Sequence, residues 1–348
     1  MKIIHLIWAF PIGGSETMLV DIINHQRKKS KITLIIVNSL VDNNLIEQLH
    51  SDINIIKINR PPKSYNILYF IKVWFKVFIS KVDVIHCHNE SLCKLIIGFN
   101  YKSCLTVHDV NLNFKYFKKF NKLFAISNSV KEFIFNQTGL ESILVYNGID
   151  FKNININIKN SYETFKIVQI SRLEHDKKGQ DVLIKALRYL VFDLKIKNVK
   201  LDFIGSGSSL DYLKELVILC SLEKFVDFRG VLNKPTINNT IHNYNLLVQP
   251  SIWEGFGLTV VEGMAAKVPV LVSNIDGPIE IIQNGLYGSY FISKDFKDCA
   301  LKIKSIIKNY DFYSNQDRLD MIREYSYSNF NISNTAENYL KHYRKIEQ

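Results

Sequence analysis

Residues 249–266, Gln-Pro-Ser-Ile-Trp-Glu-Gly-Phe-Gly-Leu-Thr-Val-Val-Glu-Gly-Met-Ala-Ala, place two carboxylates, Glu254 and Glu262, in a stretch that is otherwise apolar and glycine-rich. A strand ending near Gln249 leads into a loop flanked by Gly255 and Gly257. The helix that follows has its first free N–H groups near Gly257, Leu258 and Thr259, with Glu262 about one turn inside. Amides at a helix start hold phosphate and carboxylates accept hydrogen bonds from hydroxyls, so the pattern suits a ligand carrying both, such as a nucleotide sugar. Glutamates this far apart are otherwise often surface charge, a reading that the apolar neighbours oppose.

A second set lies upstream. Ile170-Ser171-Arg172-Leu173-Glu174-His175-Asp176-Lys177-Lys178-Gly179 leaves a strand and enters a helix, which puts Arg172 and Lys178 on one post-strand loop. The planar fork of arginine and the point charge of lysine together fit a diphosphate, and a solvated basic loop is the alternative. At the other end of the chain Gly13-Gly14 separates a strand from a helix, which allows either a tight ligand-free turn or close approach of backbone to phosphate. Neither this pair nor Gly205-Ser206-Gly207 completes the Gly-x-Gly-x-x-Gly pattern of a dinucleotide site.

These loops are carried by short β-branched runs alternating with amphipathic stretches. Strands are expected at 2–8, 32–37, 53–58, 82–86, 103–107, 122–127 and 142–146, and again at 165–170, 199–204, 225–228, 246–249 and 268–272. Helices are expected at 179–190 and 210–219, among others. Alternation of this kind defines a parallel sheet with helices on both faces, and ligands then sit beyond the carboxyl ends of the strands. Residues 151–162 have no helical period and read as a linker or edge segment. Two doubly wound α/β domains follow, spanning 1–160 and 161–325, with a terminal segment at 326–348.

A chain of 348 residues with 47% hydrophobic and 22% charged residues is globular, and its length favours about two domains. Five cysteines without a Cys-x-x-Cys pair argue against a disulfide scaffold or zinc ribbon and for a reducing compartment. The net charge of +11 admits nucleic acid, an anionic membrane or a phosphorylated substrate as partner. Residues 1–150 hold 18 lysines and arginines against 11 acids, net +7, so most of the excess lies in the first domain. Within it, 64–81 is nearly all apolar, but Lys72 and Lys76 interrupt it well short of a spanning length. Ile67, Ile71, Trp74 and Phe78 follow the spacing of a buried helix face. The same helix also reads as one lying in a membrane interface, aromatics inward and lysines towards anionic lipid. The run 114–120, Phe-Lys-Tyr-Phe-Lys-Lys-Phe, mixes cations and aromatics in a similar way.

The segment Ser-x-x-Glu-Gly-Phe-Gly-Leu-x-x-x-Glu-x-Met-Ala, with its Glu-x7-Glu spacing, resembles the retaining GT-B glycosyltransferases of family 4. Further landmarks follow in the family's order: Gly13-Gly14-Ser15-Glu16, Asp83-Val84-Ile85-His86-Cys87-His88, Thr106-Val107-His108-Asp109, Tyr146-Asn147-Gly148-Ile149-Asp150 and Phe228-Arg229-Gly230-Val231. The resemblance implies two Rossmann-like domains facing a central cleft, with the last helix returning to the first domain. It implies that Arg172 and Lys178 hold the donor diphosphate, that Glu262 bonds the ribose and that Glu254 meets the transferred sugar. Gly14 would approach the donor, Gly230 and Val231 would border the nucleobase, and residues 255–259 (Gly255, Phe256, Gly257, Leu258, Thr259) would line the site. His108 would face the sugar. Gly263 departs from the family's usual alanine and is expected to weaken its helix by up to about 1 kcal/mol.

Arg172, Lys178, His108 and Glu254 are accordingly the expected catalytic set. Transfer would run from a UDP- or GDP-sugar to a glycan or lipid-linked acceptor with retention of configuration, in bacterial surface polysaccharide assembly. No Asp-x-Asp pair is present to bind a divalent cation, and His86-Cys87-His88 sits in an ordinary strand position, so no metal or other cofactor is expected. Expected localisation is cytoplasmic, peripheral to the inner face of the membrane. Two rivals, a nucleotide-sugar epimerase of the same fold and a basic nucleic-acid binder, are weaker. The second lacks any nucleic-acid-binding signature, and nucleic acid is not an expected partner.

Overall fold

The computed structural model describes residues 1–96, 98, 101–109, 114–158 and 161–346. The chain forms two compact units, Met1–Ile149 with Phe330–Gln348, and Asp150–Asn329. The boundary expected at residue 160 falls earlier because residues 150–158 pack with the second unit. There Phe151 and Ile154 are buried, and the Asn155 and Asn157 amides donate to the carbonyls of Asn238 and Ala266. The last two residues of the expected linker before Ser161 lie outside the described residues.

In the first unit seven parallel strands take the order β3-β2-β1-β4-β5-β6-β7. They are β1 (Lys2–Ile7), β2 (Lys31–Asn38), β3 (Asn54–Arg60), β4 (Val84–Cys87), β5 (Lys102–Val107), β6 (Lys122–Ala125) and β7 (Ile143–Leu144). Strand β1 buries five residues in succession, as a strand covered on both faces must. Helix α1 (Gly14–Gln26) follows it. Helix α2 (Ile67–Ser80) starts at Asn66, whose side chain accepts from the Leu68 amide, and stops at left-handed Lys81.

The expected inward face of α2 is overturned. Val73 and Val77 are its buried residues, whereas Ile67, Ile71, Trp74 and Phe78 are 67, 53, 42 and 53% exposed. The reason lies in the sheet order: α2 covers β2 and the edge strand β3, so only a narrow valine stripe meets protein. The run 114–120 is corrected in the opposite sense, because its Phe117 and Phe120 rings are buried and Lys118 and Lys119 are exposed.

The second unit repeats the winding with six parallel strands in the order β10-β9-β8-β11-β12-β13. These are β8 (Phe165–Ile170), β9 (Val199–Ile204), β10 (Val226–Phe228), β11 (Leu246–Gln249), β12 (Val270–Ser273) and β13 (Ser289–Phe291), the last unanticipated from sequence. Helices α3 (Gln180–Arg188) and α4 (Leu258–Ala265) follow β8 and β11. After residue 329 the chain returns to the first unit, where α5 (Ile332–Tyr343) packs on α1 and buries Thr335, Ala336, Tyr339, Leu340 and Tyr343.

Gly263 on α4 is not the weak point that helix propensity suggests. A Cβ there would lie 2.9 Å from Val270 Cγ1 and 3.2 Å from Leu247 Cδ1, so the glycine lets α4 press onto β11 and β12. Gly263→Ala is expected to lower stability by about 1–3 kcal/mol through overpacking despite better helix propensity, as read by urea unfolding.

Candidate active site

In each sheet the strand order reverses between two central neighbours, β1 and β4 in one, β8 and β11 in the other. Loops leaving such a pair of strands diverge to opposite faces and open a crevice between them. In the second unit the two loops are Ser171–Gly179 and Pro250–Gly257, the segments singled out by chemistry.

Backbone contacts draw these loops together. The Ile252 amide donates to the Lys177 carbonyl at 2.9 Å. Gly179 has φ +65°, and a Cβ on it would lie 2.0 Å from the Pro250 carbonyl oxygen, so a side chain there is excluded twice over. The close approach joins Lys178 to Glu254, Nζ to Oε2 at 2.5 Å, with the side chains only 12 and 18% exposed. Gln249, at the end of β11, donates from Nε2 to the same carboxylate oxygen at 3.0 Å and accepts from the Thr259 hydroxyl at 2.8 Å. Gln169, at the end of β8, donates to the Lys178 carbonyl at 2.9 Å. Two glutamines at strand ends thus fix both members of the ion pair. Each is a polar residue in a buried strand, the signal by which sequence could have flagged them.

Glu262, one turn into α4, is buried and receives Lys234 Nζ at 2.8 Å. Lys234 was not anticipated, since it lies on a different post-strand segment, in a short helix (Lys234–Thr240) capped by Asn233. Arg172 is placed differently from Lys178. Its guanidinium meets Glu174 at 3.2 Å with the side chain 64% exposed, so it reaches towards solvent from the same loop. Gly257 caps α4 in a left-handed conformation, leaving the amides of Leu258 and Thr259 in the first turn. The Phe256 side chain is buried, so at this position only the backbone faces the crevice between the loops. Gly230, at φ +69°, accepts from the Gly205 amide at 2.8 Å, and the Val231 side chain is exposed beside it.

The first unit carries its own cavity, about 300 Å³, beyond the ends of β1, β4 and β5. Trp8, Glu16, His88, His108 and Asp109 line it. Gly14 is the first residue of α1, not part of the turn before it, and at neighbouring Gly13 the Glu16 carboxylate closes over the backbone. Behind the cavity is a chain of imidazoles. His5 Nδ1 meets His88 Nε2 at 3.0 Å and His5 Nε2 meets Gln26 Oε1 at 2.8 Å. His86 meets the Tyr343 hydroxyl at 2.5 Å and Thr106 Oγ1 at 2.7 Å, and Thr106 donates to Tyr339.

Because an amide oxygen only accepts, His5 carries its proton on Nε2, so His88 donates from Nε2 and keeps a lone pair on Nδ1. Among the described residues, His5, His86 and His88 place ligand-type nitrogens within 4.8 Å of one another. Both nitrogens of His5 and His86 are already engaged in this network, which ties α5 to the sheet.

Burial holds these imidazoles neutral. It lowers His5 and His108 to about 4 and depresses His86 and His88 well below the usual value. The unfolded chain therefore binds more protons than the folded one between about pH 6.5 and 4, so stability falls as pH falls through that window. Thermal unfolding at pH 5 should occur well below the midpoint at pH 7. His5→Gln, whatever its effect at pH 7, should flatten that dependence, by up to about 1.4 kcal/mol per pH unit in the window.

Two doubly wound parallel α/β units, the second with a buried lysine–glutamate pair at its switch point, give the GT-B fold. The family model for glycosyl transferases group 1 matches residues 151–327, just over half of the chain. The chain belongs to that family and is a glycosyltransferase.

Among its relatives is the uncharacterized glycosyltransferase MJ1607 of Methanocaldococcus jannaschii, 27% identical over 294 residues, 72% of this chain and 73% of that one. The capsular polysaccharide biosynthesis glycosyltransferase CapM of Staphylococcus aureus is 31% identical over 173 residues, 47% of this chain and 44% of its own. Among solved structures, Anabaena HepE in complex with UDP and glucose superposes with a TM-score of 0.83 at 19% identity, covering 98% of this chain and 99% of that one. The relatives thus include capsule-assembly enzymes, and the shared fold is GT-B.

Proposed function

We propose that the enzyme moves a hexosyl or N-acetylhexosaminyl group from a UDP- or GDP-sugar to a glycan or lipid-linked acceptor, with retention of configuration, in surface polysaccharide assembly. The observation that carries this reading is the buried Lys178–Glu254 pair beside the start of α4. A departing nucleoside diphosphate gathers negative charge, while the sugar it leaves gathers positive charge. A fixed ammonium, the first amides of α4 and Glu254 present charges of both signs at one place, with no reorganisation needed as the bond breaks. Lysine has three donors, and the ion pair leaves capacity for phosphate oxygens.

Arg172, exposed on the same loop, is the mobile partner that folds onto the diphosphate. Glu262, buried and held by Lys234, accepts from the ribose hydroxyls, and Gly230 and Val231 border the base. Neutral His108 offers a hydrogen bond to the sugar without competing for the positive charge that builds there. The complex of HepE with UDP and glucose, and the capsular polysaccharide role of CapM, support the donor class and the pathway. In this reading the cationic side chains do the work of a divalent ion, and the two site glutamates are each paired with lysine.

Lys178→Ala and Glu254→Gln should each lower kcat by about 10²–10³, measured as radiolabelled sugar transferred from the donor. Chelation by EDTA should leave the wild-type rate unchanged. NMR of the product should show the donor's anomeric configuration; an inverted linkage, or isomerised free nucleotide sugar with no transfer, would overturn the proposal. Lys234→Ala should raise KM for the donor with a smaller effect on kcat, because Glu262 acts remote from the reacting bond.

A further inference from the structure

We propose that α2 and the groove beside it dock the protein on an anionic lipid bilayer, with a phospholipid head-group phosphate held by Lys72 and Lys76. The inference stands apart from the transfer reaction, since it rests on the exposed surface of the first unit alone. At 3.6 residues per turn, Trp74, Ile67, Phe78, Ile71, Phe75, Leu68 and Ile79 form a continuous arc of about 140°, opposite the buried Val73 and Val77. Trp74 and Phe78 stack within it, ring centroids 5.4 Å apart. An exposed apolar face this broad on a short helix marks an interaction site.

Lys72 and Lys76 border the arc on the side facing β3, where a cavity of about 480 Å³ opens between strand and helix. Tyr69 and Phe75 line it, with Lys72 Nζ 5.5 Å from the Tyr69 ring centroid, while Lys57 of the strand turns its ammonium away to Asn43. A cationic groove opening onto an apolar shelf matches the two ends of a phospholipid, phosphate and acyl chain.

Charge argues against a second copy as occupant. Helix α2 contains two lysines and no acid, so apposed copies would bring four ammonium groups together without a counterion on either helix. With 14 residues, α2 is about 21 Å long, short of the ~30 Å hydrocarbon core, and no described helix is long and apolar enough to cross a membrane. The helix therefore lies in the interface plane, its aromatic residues in the acyl boundary and its lysines at the phosphates.

The test is flotation of the full chain with vesicles of phosphatidylcholine alone or mixed with phosphatidylglycerol, without donor or acceptor, so that failure here leaves the transferase reading untouched. Wild type should bind the mixed vesicles and bind phosphatidylcholine much more weakly. Lys72→Glu with Lys76→Glu should weaken binding about thirtyfold or more. Phe75→Ser with Phe78→Ser should weaken it comparably, with an unchanged thermal midpoint because both rings are exposed. Lys118→Glu with Lys119→Glu, an equal charge change elsewhere on the same unit, should have little effect. Brominated lipid should quench wild-type tryptophan fluorescence and quench Trp74→Phe far less.

Equal losses from the two lysine pairs, absence of Trp74 quenching, or no vesicle binding would overturn the proposal. So would a dimer in light scattering that Phe75→Ser with Phe78→Ser dissociates.

Discussion

Neither Lys178 nor Glu254 could be buried alone. An unpaired charge removed from water costs several kcal/mol, so the two become tolerable only together and only at hydrogen-bonding distance. That constraint propagates outward. The loops after β8 and β11 must touch, so position 179 must lack a side chain, and the ends of both strands must supply amide groups to hold the pair, which Gln169 and Gln249 do. The parallel winding places those strands side by side at the point where the order reverses. Site chemistry and sheet topology are thus one requirement, since a crevice at the switch point is where two such loops face one another.

The first unit solves a different problem with the same winding. Its central strands carry His5 and His86 where hydrophobic residues would ordinarily sit, and these imidazoles must find partners. They find them in Gln26 of α1, in Thr106 of β5 and in Tyr343 of α5. A helix from the far end of the chain is thereby tied into the sheet by polar contacts as well as by packing, and the network fixes the tautomer of His88 at the edge of the cavity. Keeping these groups neutral preserves the core at neutral pH and makes it sensitive to acid.

Much of the fold was legible because parallel strands buried on both faces read as unbroken apolar runs, and β8, β9 and β11 fell at their expected bounds. β13, three residues long at the sheet edge, has too little of that signature. The loop after β11 was legible because its glycines and carboxylates interrupt an apolar background. Lys234 was not, since its partner lies 28 residues away, and the two supporting glutamines were passed over because single polar residues in an apolar strand carry no period. Gly263 was misjudged for the same reason: propensity is local, whereas its cause is the flank of β11 and β12.

What the sequence by itself determined is the alternation of strands and helices, the two doubly wound sheets and the polar, glycine-flanked loops after β8 and β11, all of which follow from spacing along the chain. The tertiary structure alone decided which charges meet, that Lys178 takes Glu254 while Arg172 stays exposed and Lys234 takes Glu262. It also decided which face of α2 is covered. Apolar periodicity shows that a helix has a hydrophobic stripe, but whether protein lies against it depends on the position of its strand in the sheet, and β3 is at the edge.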